Sequence, residues 1–249
     1  MSITIKNDKH IEFMREAGKI NAQVLELMST YIKPGISTKE LDKIAFDLIK
    51  SKDAIPSFKG YGGFPATICA SVNNQLIHGI PSDIILKEGD IVSIDVGTYK
   101  NGFHADAART FAVGNISDEA KRLIDVTREC FFEGIKFAKV GYYLYDISAA
   151  IQKYIEDNGF SVVRDYVGHG IGKNLHEDPQ IPNFRPLNKK GPKLIKGMTL
   201  AIEPMVNVGA KDIKVLQDGW TVVTKDGSLC AHYENTVLIT ENEPEILTL

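Results

Sequence analysis

Five residues on predicted strands or at strand ends, Asp95, Asp106, His169, Glu203 and Glu234, are of the types that hard or borderline divalent cations take as ligands. The first two share the stretch Leu86–Arg109, LKEGDIVSIDVGTYKNGFHADAAR. It reads as two β-strands joined at Asn101-Gly102, the strongest short hairpin signal. That turn sets Lys100 against Phe103 and Gly97 opposite Asp106. Asp95 lies two residues from Gly97 on the same face, so the carboxylates become diagonal neighbours, about 7–8 Å apart at Cα. Ionised carboxylates that close repel each other. One holds a proton, a cation sits between them, or both are solvated on the hairpin's outer face.

A repeat bears on that choice. Ile195–Val206, IKGMTLAIEPMV, echoes Leu86–Gly97, LKEGDIVSIDVG. Superimposing Gly89 on Gly197 carries Ile94 onto Ile202 and Asp95 onto Glu203. Lys33–Leu41, KPGISTKEL, resembles Lys139–Ile147, KVGYYLYDI, and His78-Gly-Ile-Pro echoes His169-Gly-Ile-Gly. Each half then runs helix, helix, a His-Gly-Ile turn and an acid-bearing strand. The period is too long for a solenoid and suits a two-fold duplication, with both acid strands meeting at the pseudo-axis.

The elements that must position these residues follow from composition and pattern. The chain has 249 residues, 43% apolar and 24% charged, ordinary for a protein that buries a sizeable core. A net charge of −3 argues against a dedicated nucleic-acid binder. Lys189, Lys190, Lys193 and Lys196 make one basic loop, either solvated or in contact with an anionic partner. Cys69, Cys130 and Cys230 are odd in number and far apart, which fits reduced thiols in a cytosolic setting. No signal-peptide core and no membrane-length apolar run is expected.

Asn7 or Asp8 caps a first helix, and the capping box Ser37–Glu40 opens a second, reaching about Lys52. Phe58–Pro65, FKGYGGFP, is a glycine-rich loop showing three rings, either a turn with surface aromatics or a pocket wall. A strand at Thr67–Val72 precedes the hairpin. Helices follow near Asp118–Ala138 and Asp146–Asp157, then a strand at Val162–Val167 and a long loop over 172–193. Met198–Val208 is the second acid strand. Trp220–Thr224 and Leu229–Thr240 form a last hairpin around Asp226-Gly227, with Glu234 on its second arm.

No G-x-S-x-G elbow, phosphate loop or dinucleotide fingerprint is present, and His176-Glu177 is not followed by x-x-His. A carboxylate-rich set with one or two histidines remains. Two divalent ions would neutralise four carboxylates, where one would leave the cluster strongly negative. Paired metals lower the pKa of a shared water and clamp a reacting carbonyl, the logic of hydrolases.

The ordered series of Asp95 in SIDVG, Asp106 in FHADAA, His169 in GHGIG, Glu203 in AIEPM and Glu234 in HYENTV resembles the type I methionine aminopeptidases of bacteria, over nearly the whole chain. The resemblance implies an α+β pita-bread fold: a single catalytic domain over 1–249, pseudo-symmetric halves at about 1–115 and 116–249, and an antiparallel sheet with helices on its outer face. It implies removal of the initiator methionine from nascent chains whose second residue is small. Two divalent ions (Co, Mn, Fe or Zn) would activate the attacking hydroxide.

By that pattern Asp95 chelates one ion and His169 the other, and Asp106 and Glu234 bridge. Glu203 is a ligand and the proton shuttle. His176 bonds the scissile amide or the oxyanion, and His78 holds the substrate backbone and assists proton movement. Tyr61, Phe64, Cys69, Leu175 and Trp220 line the methionine pocket; Leu175 and Phe64 stand where the family often has Phe and Tyr. A monovalent cation near Asn73, a cytoplasmic monomer and transient ribosome contact are further implications. Two competing readings share the scaffold. One is a proline-directed peptidase such as prolidase, aminopeptidase P or creatinase, usually with an added amino-terminal domain. The other is a non-catalytic binding protein, in which ligands would be missing.

Overall fold

The structure, a computed structural model, describes residues 3–249. The first half holds α1 (Asp8–Tyr31), α2 (Thr38–Ser51), β1 (Ile55–Pro56), a 3-10 turn at Tyr61–Gly63, β2 (Ile68–Val72), β3 (Gln75–Ile77), β4 (Ile91–Lys100) and β5 (Phe103–Ala112). The second holds α3 (Asp118–Ile135), α4 (Leu144–Asp157), β6 (Ser161–Val162), β7 (Gly168–Gly170), β8 (Glu177–Ile181), β9 (Thr199–Ile202) and β10 (Met205–Asn207). It continues with β11 (Ile213–Val215), β12 (Val222–Thr224), β13 (Cys230–His232), β14 (Glu234–Leu238) and β15 (Glu245–Ile246).

The helices start where local chemistry caps them. Asn7, Ser37 and Ser117 accept the N–H groups of His10, Glu40 and Ala120, and Glu40 closes the capping box on Ser37. Asp146 accepts the Tyr143 N–H at 2.9 Å, so α4 begins at Leu144. Ile20, Val24, Leu25 and Met28 of α1 pack with Leu41 and Ala45 of α2 on Val92, Ile94, Val96 and Ala107. Leu123 and Phe131 of α3 and Ile147 and Ile151 of α4 cover Leu200, Ile202 and Val237. Both helix pairs therefore cover one face of a shared sheet. Strand side chains alternate between faces, so Asp95, Asp106, Glu234 and His169 point to the other.

The sheet has nine strands, ordered β1-β4-β5-β14-β9-β7-β8, with β2 also on β4 and β15 on β14. The hairpin register is the expected one: Lys100 pairs Phe103 and Gly97 pairs Asp106. The halves repeat each other in detail. Gly89 and Gly197 both turn through positive φ, 92° and 89°, and donate to Val113 O and Ile239 O. Leu86 and Leu194 donate to Ile36 O and Tyr142 O. The His-Gly-Ile echo does not follow this symmetry. β9 sets Ala201 beside His169, and β4 sets its counterpart Ser93 beside Ser71. Ser71 thus corresponds to His169, and His78 corresponds to His176, each seven residues further on.

Four expected elements differ. The segment expected as one long loop over 172–193 contains β8, Glu177–Ile181, which pairs with β7. The second acid strand breaks at Glu203-Pro204: β9 stays in the main sheet and β10 joins β13 and β6 in a small one. Pro204 has no N–H to continue a ladder, so the chain leaves the sheet there. The strand expected at Val162–Val167 is only Ser161–Val162. The arms expected to pair as the last hairpin do not: β12 pairs β11 and β3, while β13 pairs β10 and β14 pairs β5 and β9.

Candidate active site

Five adjacent strands each bring one candidate ligand to the same place. In spatial order these are Asp95 on β4, Asp106 on β5, Glu234 on β14, Glu203 at the end of β9 and His169 on β7. Ligand atoms of Asp106, His169 and Glu234 all lie within 4.8 Å of one another. His169 Nε2 is 3.7 Å from Glu203 Oε1. Thr236 Oγ1 both accepts from the Asp106 N–H and donates to its carbonyl, at 2.9 and 3.0 Å, tying β14 to β5 beside the acids.

The glycines around His169 are steric requirements. A Cβ on Gly168 would lie 2.3 Å from Ala201 O, and one on Gly170 would lie 2.2 Å from Asp178 O. Only glycine lets β7 sit this close to both neighbouring strands and hold the imidazole over the acids.

These groups line one cavity of about 140 Å³. Its wall contains Tyr61, Phe64, Cys69, His78, Leu175, His176 and Trp220, so every candidate site residue reaches it. The FKGYGGFP loop is a cavity wall. Phe64 packs edge-on to Trp220, ring centroids 5.2 Å apart. Tyr61 Oη hydrogen bonds His176 Nδ1 at 2.8 Å. His78 occupies positive φ, 58°, and stands edge-on to Tyr166 and Trp220. A non-glycine residue in that region is uncommon, and such residues cluster at functional sites.

Burial sets the electrostatics. It pushes Asp95 up to about 7. Burial, then the neighbouring carboxylates, hold Asp106, Glu203 and Glu234 well above the usual range. Burial drives His169 down to about 3 and His78 to about 4, so both imidazoles are neutral at pH 7. It also pushes the Cys69 thiol up, with the charges of Asp95, Asp106 and Glu234 adding to it.

The donor set fits a metal. Asp95 Oδ1 and Asp106 Oδ1 are buried with no hydrogen-bond partner among the described residues. Buried polar atoms are rarely left so. His169 Nδ1 donates to Gly170 O at 2.9 Å, which turns the Nε2 lone pair to the acids. Like charges at this density are tolerated through protons or cations.

Phe58, the third ring of the FKGYGGFP loop, lines the cavity too. Sequence reasoning passed over two residues here. His232 is buried, with both ring nitrogens unpartnered among the described residues and Nε2 3.9 Å from Glu203 and from Glu234. Its spacing of two from Glu234, the same-face spacing of a strand, was the available signal. Arg109 donates to Glu234 O at 2.5 Å and Asn235 Oδ1 at 2.7 Å, and stacks on Tyr233. Asn73 is fully engaged: Oδ1 accepts from Ile91, and its carbonyl accepts from the Cys230 N–H and thiol.

Comparison with known proteins agrees with this geometry. Residues 12–241 match metallopeptidase family M24. A methionine aminopeptidase of Clostridium perfringens is 61% identical over 248 residues, 99% of each chain. The crystal structure of a methionine aminopeptidase from Thermotoga maritima superimposes with a TM-score of 0.97 at 48% identity, covering 99% of each chain. The prolidase from Pyrococcus furiosus shares the fold, with a TM-score of 0.81 at 24% identity, but this chain covers only 65% of it. The chain therefore has the pita-bread fold and belongs to metallopeptidase family M24, among the methionine aminopeptidases.

Proposed function

We propose that this chain removes the initiator methionine from nascent polypeptides whose second residue is small, holding two divalent ions with Asp95, Asp106, His169, Glu203 and Glu234. The observation that carries the reading is the convergence of one ligand from each of five adjacent strands on a cavity walled by aromatic and sulfur-bearing side chains. Ions bound there would polarise the scissile carbonyl and make a water nucleophilic at neutral pH.

The chain's own residues do the rest. Glu203 stands at the open end of β9, 13% exposed at its side chain where Glu234 is 3%. From there it takes the proton of the attacking water and delivers it to the leaving nitrogen. Tyr61 Oη holds His176 Nδ1 at 2.8 Å, and with a proton on Nε2 the imidazole gives a hydrogen bond to the carbonyl oxygen as charge builds there. His78, neutral and held in strained backbone, orients the substrate amide. Phe64, Cys69, Leu175 and Trp220 enclose the methionine side chain, with Tyr61 at the rim.

The ions are drawn from Co, Mn, Fe and Zn. A monovalent cation near Asn73 would rely on neighbouring carbonyls, because the Asn73 carbonyl already accepts from the Cys230 N–H at 3.1 Å and thiol at 3.3 Å. The enzyme works as a cytoplasmic monomer in transient contact with the ribosome. In support, one chain supplies the whole site, and no helix among the described residues is long and apolar enough to cross a membrane. A panel of Met-Ala, Met-Lys and Xaa-Pro peptides tests the substrate: fast release of methionine from Met-Ala alone is expected. Preference for Xaa-Pro would move the chain to the proline-directed branch.

A further inference from the structure

The loop that carries His176 is clamped from behind by the start of the chain. The Lys6 N–H donates to Gly197 O at 2.8 Å, which anchors the segment before α1 at the foot of β9. The Lys6 side chain then runs inward, 5% exposed, and Nζ donates to Glu177 Oε2 at 2.6 Å. Glu177 is itself 7% exposed at its side chain. Thr4 Oγ1 donates to the same carboxylate oxygen, and Lys6 Nζ also donates to Thr4. The other oxygen, Oε1, accepts the Asn174 N–H at 3.2 Å. At Gly172 a Cβ would meet Lys6 Cε at 2.5 Å and Glu177 Oε1 at 2.7 Å, so the lysine stem lies flat on the loop backbone.

Glu177 and His176 are neighbours with opposite tasks. Glu177 turns back to Lys6, and His176 turns to the cavity and Tyr61. A buried ion pair adds little net stability, but losing one partner leaves a buried charge uncompensated. Such a pair fixes a position more than it strengthens a fold.

We propose that Lys6 and Glu177 are positioning residues for the reaction: their buried pair sets where His176 stands over the scissile bond, although neither touches substrate or a metal ligand. The inference rests on the reading of His176 as a substrate-contacting group. A displacement of about 1 Å at such a group can cost up to about 10²-fold in rate.

The test is a double-mutant cycle on a Met-Ala peptide with Lys6→Met and His176→Ala, read as kcat and KM, bound metal per chain and Tm. Lys6→Met should lower kcat about tenfold, with KM and metal content within about twofold of wild type. In the His176→Ala background it should cost nothing further, because the group it acts through is gone. Lys6→Arg, which keeps the charge, should restore most of the rate. Should Lys6→Met fail to fold, Glu177→Gln serves in the same cycle. A full multiplicative loss in the His176→Ala background, a loss of bound metal, or an unchanged kcat in Lys6→Met overturns the proposal. Wild-type rates in His176→Ala alone would instead overturn the reading of His176, and the clamp would fall with it.

Discussion

His169 and His176 stand with ring centroids 4.2 Å apart, and their hydrogen bonds separate their work. His169 is tied through Nδ1 to its own strand and faces the acids; His176 is tied through Nδ1 to Tyr61. His169→Ala should lower metal content and nearly abolish turnover. His176→Ala should keep its metal and slow the reaction by about 10²–10³-fold. Equal loss of metal in both would erase the distinction between ligand and substrate contact. Asp95 offers a pH test. Burial lifts it from 3.8 to about 7, so in the metal-free protein the folded state keeps a proton that the unfolded chain has released. Its contribution to stability is full below about pH 4 and is lost as pH rises through about 7. Metal-free Asp95→Asn should therefore melt a few degrees above metal-free wild type at about pH 8, with the gap closing towards about pH 4. A gap that does not change with pH would show that Asp95 holds no such proton. Divalent ions should reverse the order at about pH 8, since they take the proton's place.

At the scale of elements, closeness between strands governs the site. Gly168→Ala would drive a methyl group into Ala201 O, and should cost about 1–3 kcal/mol in stability and reduce metal binding as β7 moves off β9. Unchanged stability and metal content would mean that β7 has slack the packing does not show. How much of this was legible depended on whether the signal was local. Asn101-Gly102 specifies its turn from two residues, so the register of Asp95 against Asp106 could be read directly. Gly89 and Gly197 mark equivalent turns, which let Glu203 be placed from Asp95. The break at Pro204 was visible as a residue without an N–H, yet the alternating apolar pattern continues through it and masks the change of sheet. Partners such as Lys6 and Glu177, or Arg109 and Asn235, are set by folding across more than a hundred residues, and neither member carries a mark of the other.

For the whole molecule, the decisive fact is that β5 of the first half pairs with β14 of the second, so one sheet spans both. The helix pairs pack on either side of that junction, and α1 also meets the chain's end, where Gly18 lies against Leu247. We expect one cooperative unfolding transition, with calorimetric and van't Hoff enthalpies equal; two resolved transitions would show halves that stand alone. The seam has a consequence for synthesis. Asp95 and Asp106 leave the ribosome first, while His169, Glu203 and Glu234 all belong to the later half. Until His169 has been made the chain holds two acids and none of their partners, so the cluster of candidate ligands cannot assemble on the first half alone.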